Sequence, residues 1–127
     1  MQDWCAPSRR DRQFLESVRI FFVCRGELSS LQSHAHVGEI RGLGLLLGIE
    51  FMKNKSTREP FPKENNIADR IRQAALEENI LTYPVQGCVD GTNGDHILLA
   101  PPFIISPQEC RLIANALGSA LHSVFPS

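Results

Sequence analysis

From Asp11 to His34 the apolar residues Leu15, Val18, Phe21, Phe22, Leu28 and Leu31 recur mostly at three or four positions, which predicts a helix. Gly26 interrupts the pattern. Ile20-Phe21-Phe22-Val23-Cys24 is apolar all round, so it reads as a strand equally well. Beyond His34-Ala35-His36, the residues Val37, Glu39 and Arg41 alternate with Gly38, Ile40 and Gly42, a weak strand signature. The next run, Leu43 to Met52, is a stronger strand. It carries no charge before Glu50, which predicts burial on both faces.

Lys53 to Pro62 is a polar loop by composition. Ile67, Ala68, Ile71, Ala74 and Ala75 then mark an amphipathic helix across Lys63–Glu78, with Asn79 as its stop. Ile80 to Val85 reads as a short strand, and Pro84 assigns it to a sheet edge or a bend. Gln86 to Gly94 is a loop rich in Gly, Asp and Asn, and His96 to Ala100 is a further strand stopped by Pro101-Pro102. The last helix is the best specified. Ser106 is its N-cap, Pro107 its first residue and Glu109 the reciprocal member of a capping box, followed by Ile113, Ala116, Leu117, Ala120, Leu121 and Val124 on one stripe. The order helix, strand, strand, helix, strand, strand, helix predicts an α+β fold, a small mixed sheet of about four strands with helices packed on one face.

The chain has 127 residues, enough for one domain, and 13 basic against 14 acidic residues. That balance argues against nucleic acid as a partner. Every apolar run falls far short of the ~20 residues of a membrane span. The N-terminal ten residues lack the apolar core of a secretory signal and read as a solvated leader, which leaves a cytoplasmic location as the expectation. Four cysteines, at positions 5, 24, 88 and 110, include no Cys-x-x-Cys. Disulfides remain open on parity, and buried or incidental thiols are the favoured reading.

Candidate chemistry is sparse. His34 and His36 would share a face if they lay in a strand, yet no further metal ligands stand near them in the sequence, so no metal is expected. Asp95-His96 resembles an orienter and base without a nucleophile elbow, and Cys88 is near them only along the chain. Gly42-Leu43-Gly44 with Gly48 fits neither phosphate-loop spacing, so these glycines are read as permitting a bulge or close backbone approach. Lysine occurs only at Lys53, Lys55 and Lys63, in one polar region, without the desolvation a Schiff-base lysine generally needs.

Two stretches together resemble a known family. His36 to Phe51, with Val37-Gly38-Glu39-Ile40-Arg41-Gly42-Leu43-Gly44-Leu45, is similar to the strand pair opening the C-terminal small domain of class III aminotransferases, which use pyridoxal phosphate (PLP). Gly94 to Ser106 resembles the strand, Pro-Pro turn and helix cap before that family's last helix. The members nearest in pattern handle ω-amino acids such as taurine or β-alanine. The resemblance divides the chain into a poorly matched leader with part of a helix, residues 1–27, and the small domain, residues 28–127. It implies that the cofactor's lysine and phosphate cup belong to a large domain that no motif here matches. It therefore implies no catalytic or cofactor-binding residue and no transamination by this chain alone. Gln86, Asp95 and His96 fall at the substrate-pocket edge by position. Arg41, Gly42, Gly44, Pro101 and Pro102 are motif residues with structural roles. A homodimer or a full-length paralogue is the partner implied. The rival readings are a non-catalytic regulatory domain docking on such a paralogue, or a ligand-binding module whose pocket lies wholly within the chain.

Overall fold

The computed structural model describes residues 6–43, 46–102 and 104–126. Its elements, in chain order, are α1 (Arg9–Leu28), β1 (Val37–Leu43), β2 (Leu46–Phe51), α2 (Ile67–Glu77), β3 (Tyr83–Gln86), β4 (Asp95–Leu99) and α3 (Pro107–Val124), with short 3-10 turns at Ser29–Ser33 and Lys63–Asn65. The fold is α+β, as the element order requires. One correction concerns the sheet. Its strands run in the order β1-β2-β4-β3 and every pairing is antiparallel, so it is not mixed.

α1 settles the ambiguous apolar run as helix. Ser8 and Asp11 form a reciprocal capping box at its start, and Ile20, Cys24 and Leu28 turn inward at intervals of four residues. Gly26 does not break it, because a helical glycine costs only about 1 kcal/mol and tertiary contacts of the neighbouring turns outweigh that. α2 is shorter than its periodicity suggests. Asn66 adopts a left-handed conformation (φ 50°) that separates the 3-10 turn from the helix. At the other end, the stop at Asn79 (φ 64°) is a full Schellman arrangement. The Ile80 amide donates to the Ala75 carbonyl at 2.9 Å and the Asn79 amide to that of Leu76 at 2.9 Å. α3 begins with the capping box read from Ser106, Pro107 and Glu109.

Pairing of Leu47, Ile49 and Phe51 on β2 with Leu99, Ile97 and Asp95 on β4 sets one sheet face against the helices. This inner face meets Ile67, Ile71 and Ala75 of α2, Leu117 and Leu121 of α3, and Leu28 of α1 in a single core. A register shift between Val37 and Glu39 inserts one extra residue into β1. That bulge turns both Val37 and Ile40 inward, against the simple alternation of the sequence. At the β1–β2 turn, a Cβ on Gly42 would run into the Leu46 carbonyl oxygen, so the glycine there permits a close backbone approach. β3 is an edge strand, which explains how it tolerates Pro84.

Two further expectations are corrected. β2 is buried on one face only: Leu46 is exposed and Gly48 and Glu50 are half-buried on the other. Its low polarity reflects a face that nothing among the described residues covers. Second, Cys24 and Cys110 are joined by a disulfide between α1 and α3, across a sequence separation of 86 with Cα atoms 5.0 Å apart. They are buried, as expected, but not thiols. Neighbouring turns of two packed helices bring them together, a juxtaposition that spacing along the chain does not reveal. No helix among the described residues is long and apolar enough to cross a membrane.

Candidate functional site

The pleat of β4 separates two of the three residues assigned to the pocket edge. Asp95 points inward and is 1% exposed, whereas His96 lies on the open face. Gln86, on the edge strand opposite Asp95, donates its side-chain amide to Asp95 Oδ1 at 3.2 Å. The same oxygen accepts the Ala68 amide at 2.9 Å. Ala68 is the second residue of α2, whose own N-cap, Asn66, makes no side-chain cap bond. Asp95 therefore caps α2 from a neighbouring strand, and its carboxylate sits at the positive end of the helix dipole. Asp95 ties together β4, β3 and α2. Asp95→Ala is expected to destabilise the chain by about 1–3 kcal/mol, because it removes the cap and leaves the buried Ala68 amide without its acceptor, and Asp95→Asn by less. Urea unfolding measures both, and equal midpoints for Asp95→Ala and the unmodified chain would refute the capping role.

His96 belongs to a second group of side chains, on the sheet face away from the helices. Glu39, Glu50, His96 and Val85 form one cross-strand row, and Arg41, Gly48, Leu98 and Tyr83 the next. Arg41 bridges the rows through one nitrogen, which lies 2.9 Å from Glu39 and 3.1 Å from Glu50. Gly48 has no side chain to fill the centre. The result is a groove of about 410 Å³ over Gly48, walled by Arg41, Leu46, Glu50, His96 and Leu98. Partial burial, then the Arg41 charge, lowers the His96 pKa from its ordinary value against the opposing pull of Glu50 and Asp95, so the ring is neutral at pH 7. Partial burial, then the Glu50 carboxylate, raises that of the Cys88 thiol, which therefore stays protonated at neutral pH. Neither group is primed as a base–nucleophile pair.

Sequence reasoning singled out Arg41 and His96 but missed Glu50, Gly48 and Leu98. The period-two pattern of β2 and β4 contains them, once one face is known to be open. Gly44, named with Arg41 and Gly42, lies outside the described residues. Pro101 and Pro102 form the link from β4 to α3, where the Pro102 carbonyl accepts the Ile105 amide at 3.1 Å.

His34 and His36 flank the turn into β1 and pack with Phe61 and Phe125. The His36 and Phe125 ring centres are 4.5 Å apart, and His36 Nδ1 lies 3.0 Å from the Met52 carbonyl oxygen. Among the described residues, no three His, Cys, Asp or Glu side chains cluster as a metal site would need. The lysines are engaged elsewhere or exposed. Lys53 pairs with Glu59 at 3.0 Å, Lys55 donates to the Gln32 and His34 carbonyls at 2.7 and 3.2 Å, and Lys63 stands exposed at the start of a 3-10 turn. None reaches the groove over Gly48. The residues present do not fit a covalently held PLP.

A helix-backed four-stranded antiparallel sheet with one face open is the small-domain architecture of the transaminases, and comparison with known proteins assigns it. No family model matches the chain. An uncharacterised aminotransferase of Schizosaccharomyces pombe is 40% identical over 94 residues, covering 74% of this chain and 20% of its own length. A probable γ-aminobutyrate transaminase 3 of Oryza sativa subsp. indica, described as mitochondrial, is 42% identical over 85 residues, covering 67% of this chain and 15% of its own. Among solved structures, the (S)-enantioselective ω-transaminase from Thermomicrobium roseum superposes with a TM-score of 0.77 at 27% identity, over 91% of this chain and 24% of that one. The chain belongs to the class III aminotransferases, of which it represents the C-terminal small domain. It spans about a fifth of the length of the curated relatives it matches (20% of the first).

Proposed function

We propose that this chain serves as the small-domain portion of a class III aminotransferase that moves an amino group from an ω-amine or amino acid to a 2-oxo acid, and that alone it does not catalyse. The placement of the lysines carries this reading. Transamination on PLP needs an amine that anchors the cofactor covalently, and here Lys53 and Lys55 are committed to Glu59 and to backbone carbonyls while Lys63 is exposed. The name of the rice relative, a γ-aminobutyrate transaminase, supports an ω-amino substrate class.

The role left to this chain is to shape and close a pocket whose cofactor sits on another domain. Gln86 and Asp95 would brace the β3 edge of that pocket, and His96 with Arg41 and Glu50 would present its polar wall. Incubation of the purified chain with PLP, β-alanine and pyruvate is expected to yield no alanine above a protein-free control. Alanine formed in proportion to the chain would overturn the proposal.

The uncovered outer sheet face favours a second reading, docking on a full-length paralogue. Leu46 is 53% and Tyr83 67% exposed there, a surface that invites a protein cover. Size-exclusion chromatography with such a paralogue is expected to show co-elution; a lone monomer would count against docking.

A further inference from the structure

His34 and His36 take no part in the groove over Gly48, and their two rings are held in opposite ways. His34 Nδ1 accepts the His36 amide at 3.1 Å, so that nitrogen carries no hydrogen and the ring is neutral. His36 Nδ1 faces the Met52 carbonyl at 3.0 Å; a carbonyl only accepts, so this nitrogen carries the hydrogen. A further proton on His36 goes to Nε2 and leaves its bond intact. A further proton on His34 goes to Nδ1 and breaks the bond that closes the turn.

Three other segments meet at this turn. The loop after β2 supplies Lys55, whose ammonium donates to the Gln32 carbonyl at 2.7 Å and to the carbonyl of His34 itself at 3.2 Å. The same loop supplies Phe61, buried, with its ring centre 5.3 Å from that of His36 and 5.5 Å from that of Phe125. The end of α3 brings His122, and Phe125 with its ring centre 5.8 Å from that of His34. Arg70 of α2 reaches the Val124 carbonyl at 3.5 Å. The charges are one-sided. Partial burial first, then His36, Lys55 and His122, hold the His34 pKa below its ordinary value. The loop's carboxylate, Glu59, is engaged by Lys53 at 3.0 Å. Among the described residues no carboxylate pairs with His34, His36, His122 or Lys55. The C-terminal dipole of α3 and the face of Phe125 attract a cation, but they restore neither the broken bond nor the place of the Lys55 ammonium.

We propose that His34 is an acid-sensitive latch joining the entry to β1, the loop of residues 53–62 and the end of α3. Neutral, it closes the turn and tolerates the Lys55 ammonium on its own carbonyl. Protonated, it loses the His36 amide and repels Lys55, so the loop and Phe125 come away while the sheet stays formed. The folded chain takes up a proton at His34 less readily than the unfolded chain does. The latch is therefore intact above the ordinary value of 6.5, and its stabilisation is lost as pH falls through the lower, folded value. Every contact involved lies within this chain, and the latch does not depend on the aminotransferase reading.

The test is hydrogen–deuterium exchange of the whole chain at about pH 7.5 and about pH 5, corrected for the intrinsic pH dependence of exchange. Residues 31–38, 52–61 and 120–125 are expected to lose protection about threefold or more at the lower pH, while the central strand β2 keeps its own. His34→Asn is the decisive variant, because its Oδ1 accepts the His36 amide as Nδ1 does but takes up no proton. It is expected to keep the three segments protected at both pH values. His34→Ala lacks the acceptor and is expected to leave them less protected at either. NMR titration of the unmodified chain needs no variant: the His34 midpoint is expected below 6.5, with the His36 amide signal moving in step. A His34→Asn chain that loses protection as the unmodified one does would overturn the proposal, passing the effect to another histidine. Equal protection at the two pH values would overturn it too, as would a His34 midpoint at or above 6.5. Loss of protection in β2 along with the three segments would mean global unfolding, and would also overturn the latch.

Discussion

Reduction of the Cys24–Cys110 bond is expected to lower the stability of this chain by about 4.5 kcal/mol and its Tm by roughly 15 °C. The magnitude follows from the length of chain the bond closes. A sequence separation of 86 restricts the unfolded ensemble heavily, and the loss of that restriction favours unfolding. The location adds to the effect. α1 joins the fold chiefly through α3, and the bond lies at that contact, with Cys24 3% and Cys110 1% exposed. Urea unfolding with and without reductant measures the cross-link without changing side-chain volume. A Cys5→Ser/Cys88→Ser background removes the two cysteines outside the bond, so that neither exchanges with it. Coincident midpoints in the two conditions would show that the bond contributes nothing. The expectation of a reducing cytoplasm and this bond pull in opposite directions, and thiol titration of freshly purified, unfolded protein reads which prevails.

Phe51→Ala is expected to cost about 3–5 kcal/mol, comparable to the disulfide. Phe51 is 1% exposed on the central strand β2, between Val37 of β1 and Asp95 of β4, so no neighbouring loop can collapse into the space. The void also adjoins the Asp95 carboxylate, already dependent on a few donors. Phe22→Ala supplies the contrast. That ring is 64% exposed on α1, and its removal should change stability by less than about 0.5 kcal/mol. Chemical denaturation of both variants tests the pair of values. A similar loss for each would mean that the buried face has been misassigned.

The features legible in the sequence are those that local chemistry dictates. Ser106, Pro107 and Glu109 specify the start of α3, Asn79 the end of α2, and Pro84 an edge strand, each through a dihedral or a hydrogen bond within a few residues. The features missed are non-local. α2 starts at Ile67 because Asp95, 27 residues beyond Ala68, supplies that residue's amide with the cap that Asn66 does not. Val37 faces inward because a bulge resets the pleat, and an apolar, unpolarised β2 reads as doubly buried although only one face is covered. The candidate site suffered most. Asp95 and His96 are adjacent along the chain, yet a strand sends adjacent side chains to opposite faces, one into the core and one to the groove with Arg41 and Glu50.

The strand order β1-β2-β4-β3 has a kinetic consequence. β1 and β2 are hairpin neighbours, but β2 completes its other side only with β4, Leu47 pairing with Leu99. Between them the chain must make α2 and then β3, the strand that ends on the far side of β4. A polypeptide synthesised from its N-terminus therefore carries β2 with one unpaired edge until Leu99 has emerged. Sheet closure is a late, long-range event, and a slow one relative to a helical bundle of this size. During that interval the apolar face of β2 is a site for mispairing, and the speed with which β4 inserts sets how much of the chain escapes aggregation.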